Sequence, residues 1–277
     1  MNPLLKPAEL LYRAINRARR TLYRRGVLKA RRLPRPVVSV GNIAAGGAGK
    51  TPAVIAIGKF LIDRGYRVVV LTRGYRRKGE GGPVMVLDPE KYGDEPTLIK
   101  KHLDKAHVIV GVNRYENGLR YSDADIFLLD DGFQHLQLHR DLDIVIDAPA
   151  GFFREGRAAL KHADLVIPRR LRLDVPQNLR GKRLFAFAGL ADNHQFFASL
   201  RDEGLTLTGT RGFRDHHRYS PADLAGIDRA AAESGAEAIV TTEKDAVKIA
   251  RRDIIPIPAE FVIDADVLER IERVIRR

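Results

Sequence analysis

The chain has 277 residues, 44% hydrophobic and 30% charged, the composition of a folded protein with ample core. It contains no cysteine, which excludes disulfides, thiolate metal sites and thiol catalysis. Its formal charge of +13 is concentrated at the start: residues 1–36 hold eleven Lys and Arg against Glu9, a local +10, and the rest is nearly balanced at +3.

Residues 1–36 read as a basic amphipathic helix. Leu4, Ala8, Leu11, Ile15, Ala18 and Leu22 recur at spacings of four and three on one face, and Arg13, Arg17, Arg20 and Arg24 share the opposite one. Pro7 suits a first turn, while Pro34 and Pro36 end the pattern. Two readings follow. The apolar face lies on an anionic membrane surface with the arginines at its headgroups, or the helix packs on its own domain and leaves a solvated basic face. No stretch approaches the roughly 20 apolar residues of a membrane span. No apolar segment ends in a small-residue cleavage site, so a signal peptide is not expected. A basic helix also suits phosphate backbones, but no aromatic–basic interleaving or nucleic-acid motif accompanies it, so nucleic acid is not an expected partner.

From residue 37 apolar runs alternate with helical stretches. Strands are predicted at 37–40, 67–72, 107–111, 125–130, 143–148 and 163–168, with helices at 51–64 and 113–121. Several runs are continuously apolar, as in strands covered on both faces. This is the βαβ rhythm of a mostly parallel sheet flanked by helices. After the charged stretch 169–183, strands at 184–190 and 236–242 and helices near 191–203, 221–234, 243–251 and 265–276 form a second α/β series. The division expected is therefore a helix over 1–36, a nucleotide-binding domain over 37–179 and a smaller α/β domain over 180–277.

"AAGGAGKTP" (44–52) stands between the first predicted strand and its helix. In a phosphate-binding loop, backbone N–H groups wrap the nucleotide phosphates, Lys50 reaches the β/γ oxygens and the Thr51 hydroxyl ligates Mg²⁺. The loop comprises Ala44, Ala45, Gly46, Gly47, Ala48, Gly49, Lys50 and Thr51, with Ala44 where the strict pattern has its first glycine. Pro52 is tolerated because early helical N–H groups lack intrahelical partners. "IFLLDDGFQH" (126–135) then ends a strand in Asp130 and Asp131, where a P-loop enzyme needs carboxylates to complete Mg²⁺ coordination. Together they point to nucleotide-dependent phosphoryl chemistry.

A kinase also needs an acceptor side. "GDEP" offers Asp94 in a short turn, and "FRDHH" offers Asp215, His216 and His217, from which an Asp–His pair can orient and deprotonate a hydroxyl. His135 and His139 have a zinc-like spacing, but no third ligand is evident.

The ordered set "SVGNIAAGGAGKTP", "LTRGYRRKGEG", "GDEP", "DDGFQH", "FREG" and "TTEKDAVK" resembles the tetraacyldisaccharide 4′-kinases of lipid A biosynthesis from about Val37 to Lys248. The resemblance implies a P-loop fold and transfer of the γ-phosphate of ATP, with Mg²⁺, to the 4′-hydroxyl of a tetraacylated disaccharide 1-phosphate, giving lipid IVA at the cytoplasmic face of a bacterial inner membrane. It implies a base dyad of Asp94 and His216, a phosphate loop at Ala44–Thr51 and metal-side acids Asp130 and Asp131. Arg73, Tyr75, Gln134, His135, Arg154 and Glu155 would line the disaccharide side. Two features depart from the family. Many members begin with a membrane-spanning helix rather than an arginine-rich one, so interfacial attachment is expected here. Gly156 also replaces the usual proline of "FREG". A P-loop GTPase or ATPase acting on a soluble substrate would leave the basic arm without a role, and the lysine of "TEKD" falls one place late for guanine selection. A non-catalytic membrane- or nucleic-acid-binding module would leave the phosphate loop and acids unused.

Overall fold

The computed structural model describes residues 5–45, 47–74, 81–148 and 152–276. Helix α1 (Leu5–Arg24) precedes β1 (Val37–Gly41), a short β2 (Ala44–Ala45) and α2 (Lys50–Asp63). Next come β3 (Val68–Thr72), β4 (Gly82–Pro83), α3 (Pro89–Tyr92), α4 (Asp94–His102), β5 (His107–Val110), α5 (Arg114–Leu119) and β6 (Ile126–Asp130). β7 (Leu142–Asp147), β8 (Phe152–Phe153) and β9 (Leu165–Pro168) complete the first series.

These strands form a seven-stranded sheet in the order β4-β5-β3-β6-β1-β7-β9, parallel except for β4 at one edge. Its central strands are buried residue after residue, because the sheet is covered on both faces. Val38, Val40, Val70, Leu128 and Ile144 pack toward α2, while Val37, Leu71, Phe127 and Leu129 form the core of the other face. Strand order is what makes the site. β6 lies beside β1, with Val40 in register with Asp130, so the acid-ended strand stops next to the strand that feeds the glycine loop. Ligands of open α/β sheets bind in this crevice beyond the carboxyl ends of the strands.

The second series contains β10 (Leu171–Leu173), β11 (Arg183–Ala188), α6 (Asn193–Asp202), β12 (Thr206–Gly212), α7 (Pro221–Glu233), β13 (Ala238–Thr242), α8 (Glu243–Ala246), β14 (Ile254–Ile257), β15 (Ala259–Phe261) and α9 (Ala265–Ile275). Its parallel sheet runs β12-β11-β13-β14 over a separate core that includes Leu184, Ala186, Phe197 and Leu200. The end of the chain then returns to the first series. Phe261, Val267 and Ile271 join the core under α2, and Glu272 meets Arg64 and Tyr66. β10 and β15 pair antiparallel between the two regions.

Two local readings change. Asp94 does not sit in a turn: it opens α4, behind Gly93 at φ 99°, and Pro96 is accommodated in the first helical turn. Helix α1, moreover, turns its polar side inward. Arg20 makes a bidentate ion pair with buried Glu155 (3.0 and 2.9 Å) and donates to the Phe133 carbonyl at 3.2 Å. Asn16 donates to the Arg154 carbonyl, and Arg13 lies over the Phe153 ring. Arg13 and Arg20 therefore leave the solvated face expected of them, while Leu10, Leu11, Ile15 and Leu22 stand exposed. The reason is chemical: a buried carboxylate must be paired, and Glu155 outweighs the apolar stripe in setting the helix's rotation.

Candidate active site

Beyond β1 the chain makes a loop that only glycine serves at two places. Gly47 and Gly49 have φ of 60° and 79°, the left-handed region that disfavours a side chain. Gly49 caps α2 without a side chain, leaving the helix's first N–H groups aimed outward as an anion site. Ala44 lies in β2, paired antiparallel with Phe153, and in that extended backbone a methyl group costs nothing. This explains why alanine stands at the pattern's first glycine. Ala48 is buried, Thr51 is the second residue of α2, and Gly46 lies outside the described residues.

Lys50 opens α2 with its ammonium 3.2 Å from Asn42 Oδ1 and 3.5 Å from Asp131 Oδ1. Asp131 is held in the left-handed region at φ 52°, with Oδ2 on Arg154 Nη1 at 2.7 Å and its carbonyl accepting from Arg114. Burial opposes its charge, but Lys50, Arg154 and Arg114 together keep it well below the usual carboxylate range. Asp130 is the contrasting neighbour. Burial, then Glu95 and Asp131, push it up to about 7, against a hydrogen bond from the Thr72 hydroxyl at 2.9 Å and the charge of Lys50. One acid is thus held ionised by neighbouring cations and the other is a buried carboxylate suited to receive one.

That pairing fits magnesium. Thr51, Asp130 and Asp131 would supply it with oxygen donors only, the chemistry magnesium prefers, and Asp131 Oδ1 is a buried oxygen without a hydrogen bond. Bound there, the ion would neutralise charge on the β- and γ-phosphate oxygens.

On the acceptor side the structure joins Asp94 to His216, 122 residues later, with Nδ1 3.0 Å from Asp94 Oδ2. The neighbouring candidates separate cleanly. His217 stacks on Phe213 and donates to Asp223, a structural role, and Asp215 pairs with Lys244 at 3.2 Å. His216 takes φ 59°, a second strained residue at the site, and its N–H hangs from the Gly189 carbonyl at the end of β11. Burial raises Asp94, but the hydrogen bond from His216 and the charges of Lys248 and Lys244 outweigh it, so the carboxyl lies below its ordinary value. Glu95, its neighbour, acts electrostatically on both Asp130 and Arg154, which brings the start of α4 toward the end of β6.

The remaining expected residues divide. His135 is half-buried near Arg114, Arg140, Arg19 and Arg73, and its burial followed by those charges lowers it to about 3, a neutral imidazole in a basic wall. Arg73 is exposed at the end of β3, and Tyr75 lies outside the described residues. Gln134 donates to the Asn42 carbonyl and to Glu155. Glu155, 4% exposed, anchors α1, its carboxylate taken up by Arg20 and Gln134. Gly156 in place of proline leaves that dipeptide firmly held: its φ of −70° suits either residue, and the N–H groups of Arg154 and Glu155 both reach the Ile43 carbonyl.

Asn42, Arg114, Lys244 and Lys248 are site residues that the pattern did not single out. Asn42 stands in "VGN" and both lysines in "TTEKDAVK", so position within those stretches was the available signal. Arg114 offered none.

A glycine loop fed by the strand beside an acid-ended one, facing an Asp–His pair, defines a P-loop phosphotransferase. The chain matches the tetraacyldisaccharide-1-P 4'-kinase family over residues 1–177 and 169–276. It is 40% identical to the tetraacyldisaccharide 4'-kinase of Pelobacter propionicus, over 89% of this chain and 82% of that one. With the enzyme of the same name from Geobacter metallireducens it shares 36% identity, over 89% and 88%. The crystal structure of LpxK from Aquifex aeolicus in complex with ATP superposes with a TM-score of 0.76 at 30% identity, covering 98% of each chain. The chain belongs to the tetraacyldisaccharide 4'-kinase family, the ATP-dependent kinases of lipid A biosynthesis.

Proposed function

We propose that Asp94, oriented by His216, takes the proton of the substrate's 4′-hydroxyl as its oxygen attacks the γ-phosphorus of ATP. ADP leaves from the cradle formed by the 44–51 loop and Lys50, and the product is lipid IVA. The supporting observation is the 3.0 Å Asp94–His216 contact, assembled from two distant segments beside Glu95 and Asp130. Incubation with ATP, Mg²⁺ and the tetraacyldisaccharide 1-phosphate should yield a lipid heavier by one phosphate, read by mass spectrometry. Folded, ATP-binding protein that leaves the lipid unmodified would favour a soluble acceptor.

In this reading the reaction takes place at the cytoplasmic face of the inner membrane, with α1 lying on the bilayer. No helix among the described residues is long and apolar enough to cross a membrane. Supporting the interfacial reading, α1 spends its polar face on the protein and turns Leu10, Leu11, Ile15 and Leu22 outward, with Arg17 and Arg24 exposed alongside. Truncating the arm would remove Arg20 from buried Glu155, so point changes on the outer face give the cleaner test. Leu11→Asp with Ile15→Asp should weaken sedimentation with anionic vesicles about 10- to 100-fold, the worth of two partly buried aliphatic side chains. Activity on detergent-dispersed substrate should persist. High salt should further weaken wild-type binding by screening the arginines. Unchanged sedimentation of the double variant would show that this face does not meet lipid.

A further inference from the structure

The Asp94–His216 pair has a third member that the pattern of site residues does not assign. Lys244, the second residue of α8, places its ammonium 3.3 Å from His216 Nε2 and 3.2 Å from Asp215 Oδ1, with Glu95 at 3.8 Å. Its side chain is 19% exposed, and His216's is 11% exposed. An ammonium carries three donors and no lone pair, so at that distance it can bond only to an imidazole nitrogen that holds no proton. With Lys244 closer to Nε2 than the Asp215 carboxylate, which stands 3.8 Å away, Nε2 is assigned as the acceptor and the ring proton to Nδ1, the nitrogen facing Asp94.

We propose that Lys244 is a positioning residue that fixes the tautomer of His216, so that His216 donates from Nδ1 to Asp94. This rests on the reading of Asp94 as the acceptor-side base. Asp94 consequently receives an oriented hydrogen bond from Nδ1 and remains the carboxylate that takes the proton of the hydroxyl. The same logic of one partner setting the other nitrogen's proton governs histidines oriented by second partners elsewhere.

Lys244 is itself built into place. Thr242 caps α8 by accepting the Asp245 N–H and returns its own hydroxyl proton to Asp245 Oδ2. Asp245, fully buried, also accepts from the Gly189 N–H and from Lys248. On the side facing α4, Glu243 bridges Lys101 at 2.8 Å and His102 at 2.7 Å, so α8 is tied to the helix that carries Asp94. Burial works against the Lys244 charge, but Glu95 and Asp215 hold it above its ordinary value. The charged groups around the dyad are therefore Asp94 and Glu95 from α4, Asp215 from the histidine's own loop, and Lys244 and Lys248 from α8 and the turn after it. Tyr219 adds a phenol whose ring lies 5.3 Å from the Lys248 ammonium.

The test is nitrogen NMR of the full-length protein with ¹⁵N-labelled histidine, assigning His216 by the signal lost in His216→Gln. In the wild type at neutral pH, Nδ1 should be the protonated nitrogen and Nε2 the bare one. In Lys244→Met the Nδ1–H tautomer should give way to a mixture with the Nε2–H form, while Lys244→Arg retains it. Turnover of Lys244→Met should fall about 10-fold or more through kcat, with the KM for ATP unchanged, and Lys244→Arg should recover part of it. A proton on Nε2 in the wild type, or an unchanged tautomer in Lys244→Met, would each overturn the assignment. The wild-type spectrum decides the tautomer even if a variant folds poorly. Failure of the dyad reading is a separate result: Asp94→Asn would then turn over normally, whatever the spectrum says of His216.

Discussion

Asp94→Asn is expected to lower kcat by about 10²–10⁴, the range for loss of a positioned general base, with little change in ATP affinity. The substitution is nearly isosteric and preserves an acceptor oxygen for His216, so the helix start and the 3.0 Å contact survive while basicity is lost. His216→Ala should also slow turnover, because Asp94 then keeps its carboxylate but loses the donor that aims it. Residues that act as one unit are strongly non-additive, so the double variant should be little slower than Asp94→Asn alone. Single-turnover kinetics of the four proteins, with ATP affinity measured in parallel, give the cycle. Fully multiplicative losses would mean that the two side chains act separately. The pH dependence carries a further check. Because His216, Lys248 and Lys244 outweigh burial and depress the Asp94 carboxyl, the base is ionised above its lowered pKa and lost only as pH falls through it. The acid limb assigned to Asp94 should accordingly lie below the usual carboxylate range.

The first sheet was legible because its strands are written as continuous apolar runs, and burial on both faces leaves no other use for them. The glycine loop and the acids of β6 were legible for a related reason: each sits where a strand ends, and parallel pairing brings those ends together. The second sheet was harder to read at its edges. β12 is polar and broken by Gly209, and β14 carries Pro256, both permitted only because each strand has a single neighbour. Helix α4 was hidden by "GDEP", whose glycine and proline also spell a turn. The orientation of α1 was not readable at all from its own residues. Periodicity identifies two faces, but the choice between them was made by Glu155, 135 residues beyond Arg20 in the chain. Similarly, the amphipathic pattern of 265–275 says that α9 packs, without saying that it packs against α2. Lys244 belongs to the same class, since its meaning depends on a histidine 28 residues earlier and a helix start from the first series.

Lys50→Ala is expected to cost about 10²–10³ in kcat, the scale for losing one preorganised donor to transition-state charge. The side chain is largely buried, and its ammonium rests between Asn42 Oδ1 and Asp131 Oδ1. Those contacts hold the cation at the mouth of the loop, ready for the β/γ-phosphate oxygens, whose charge changes most as the phosphoryl group passes across. Loss should therefore appear in the chemical step more than in ATP binding, which the backbone donors of the loop and the start of α2 sustain. The fold should persist, because Asp131 keeps Arg154 and Arg114. Lys50→Arg should not restore the rate: a longer planar fork cannot occupy the narrow place between Asn42 and Asp131 as a compact ammonium does. Asn42→Ala gives the graded control. It leaves the charge but removes one of its two resting contacts, a hydrogen bond to a charged group worth about 1.5–3 kcal/mol, so its effect should be smaller than that of Lys50→Ala. Rates are to be compared at saturating ATP and lipid, with thermal melts confirming folded protein. Near-normal turnover in Lys50→Ala would show that the loop only shapes the backbone, and equal losses in Lys50→Ala and Asn42→Ala would assign the effect to loop geometry instead of the lysine's charge.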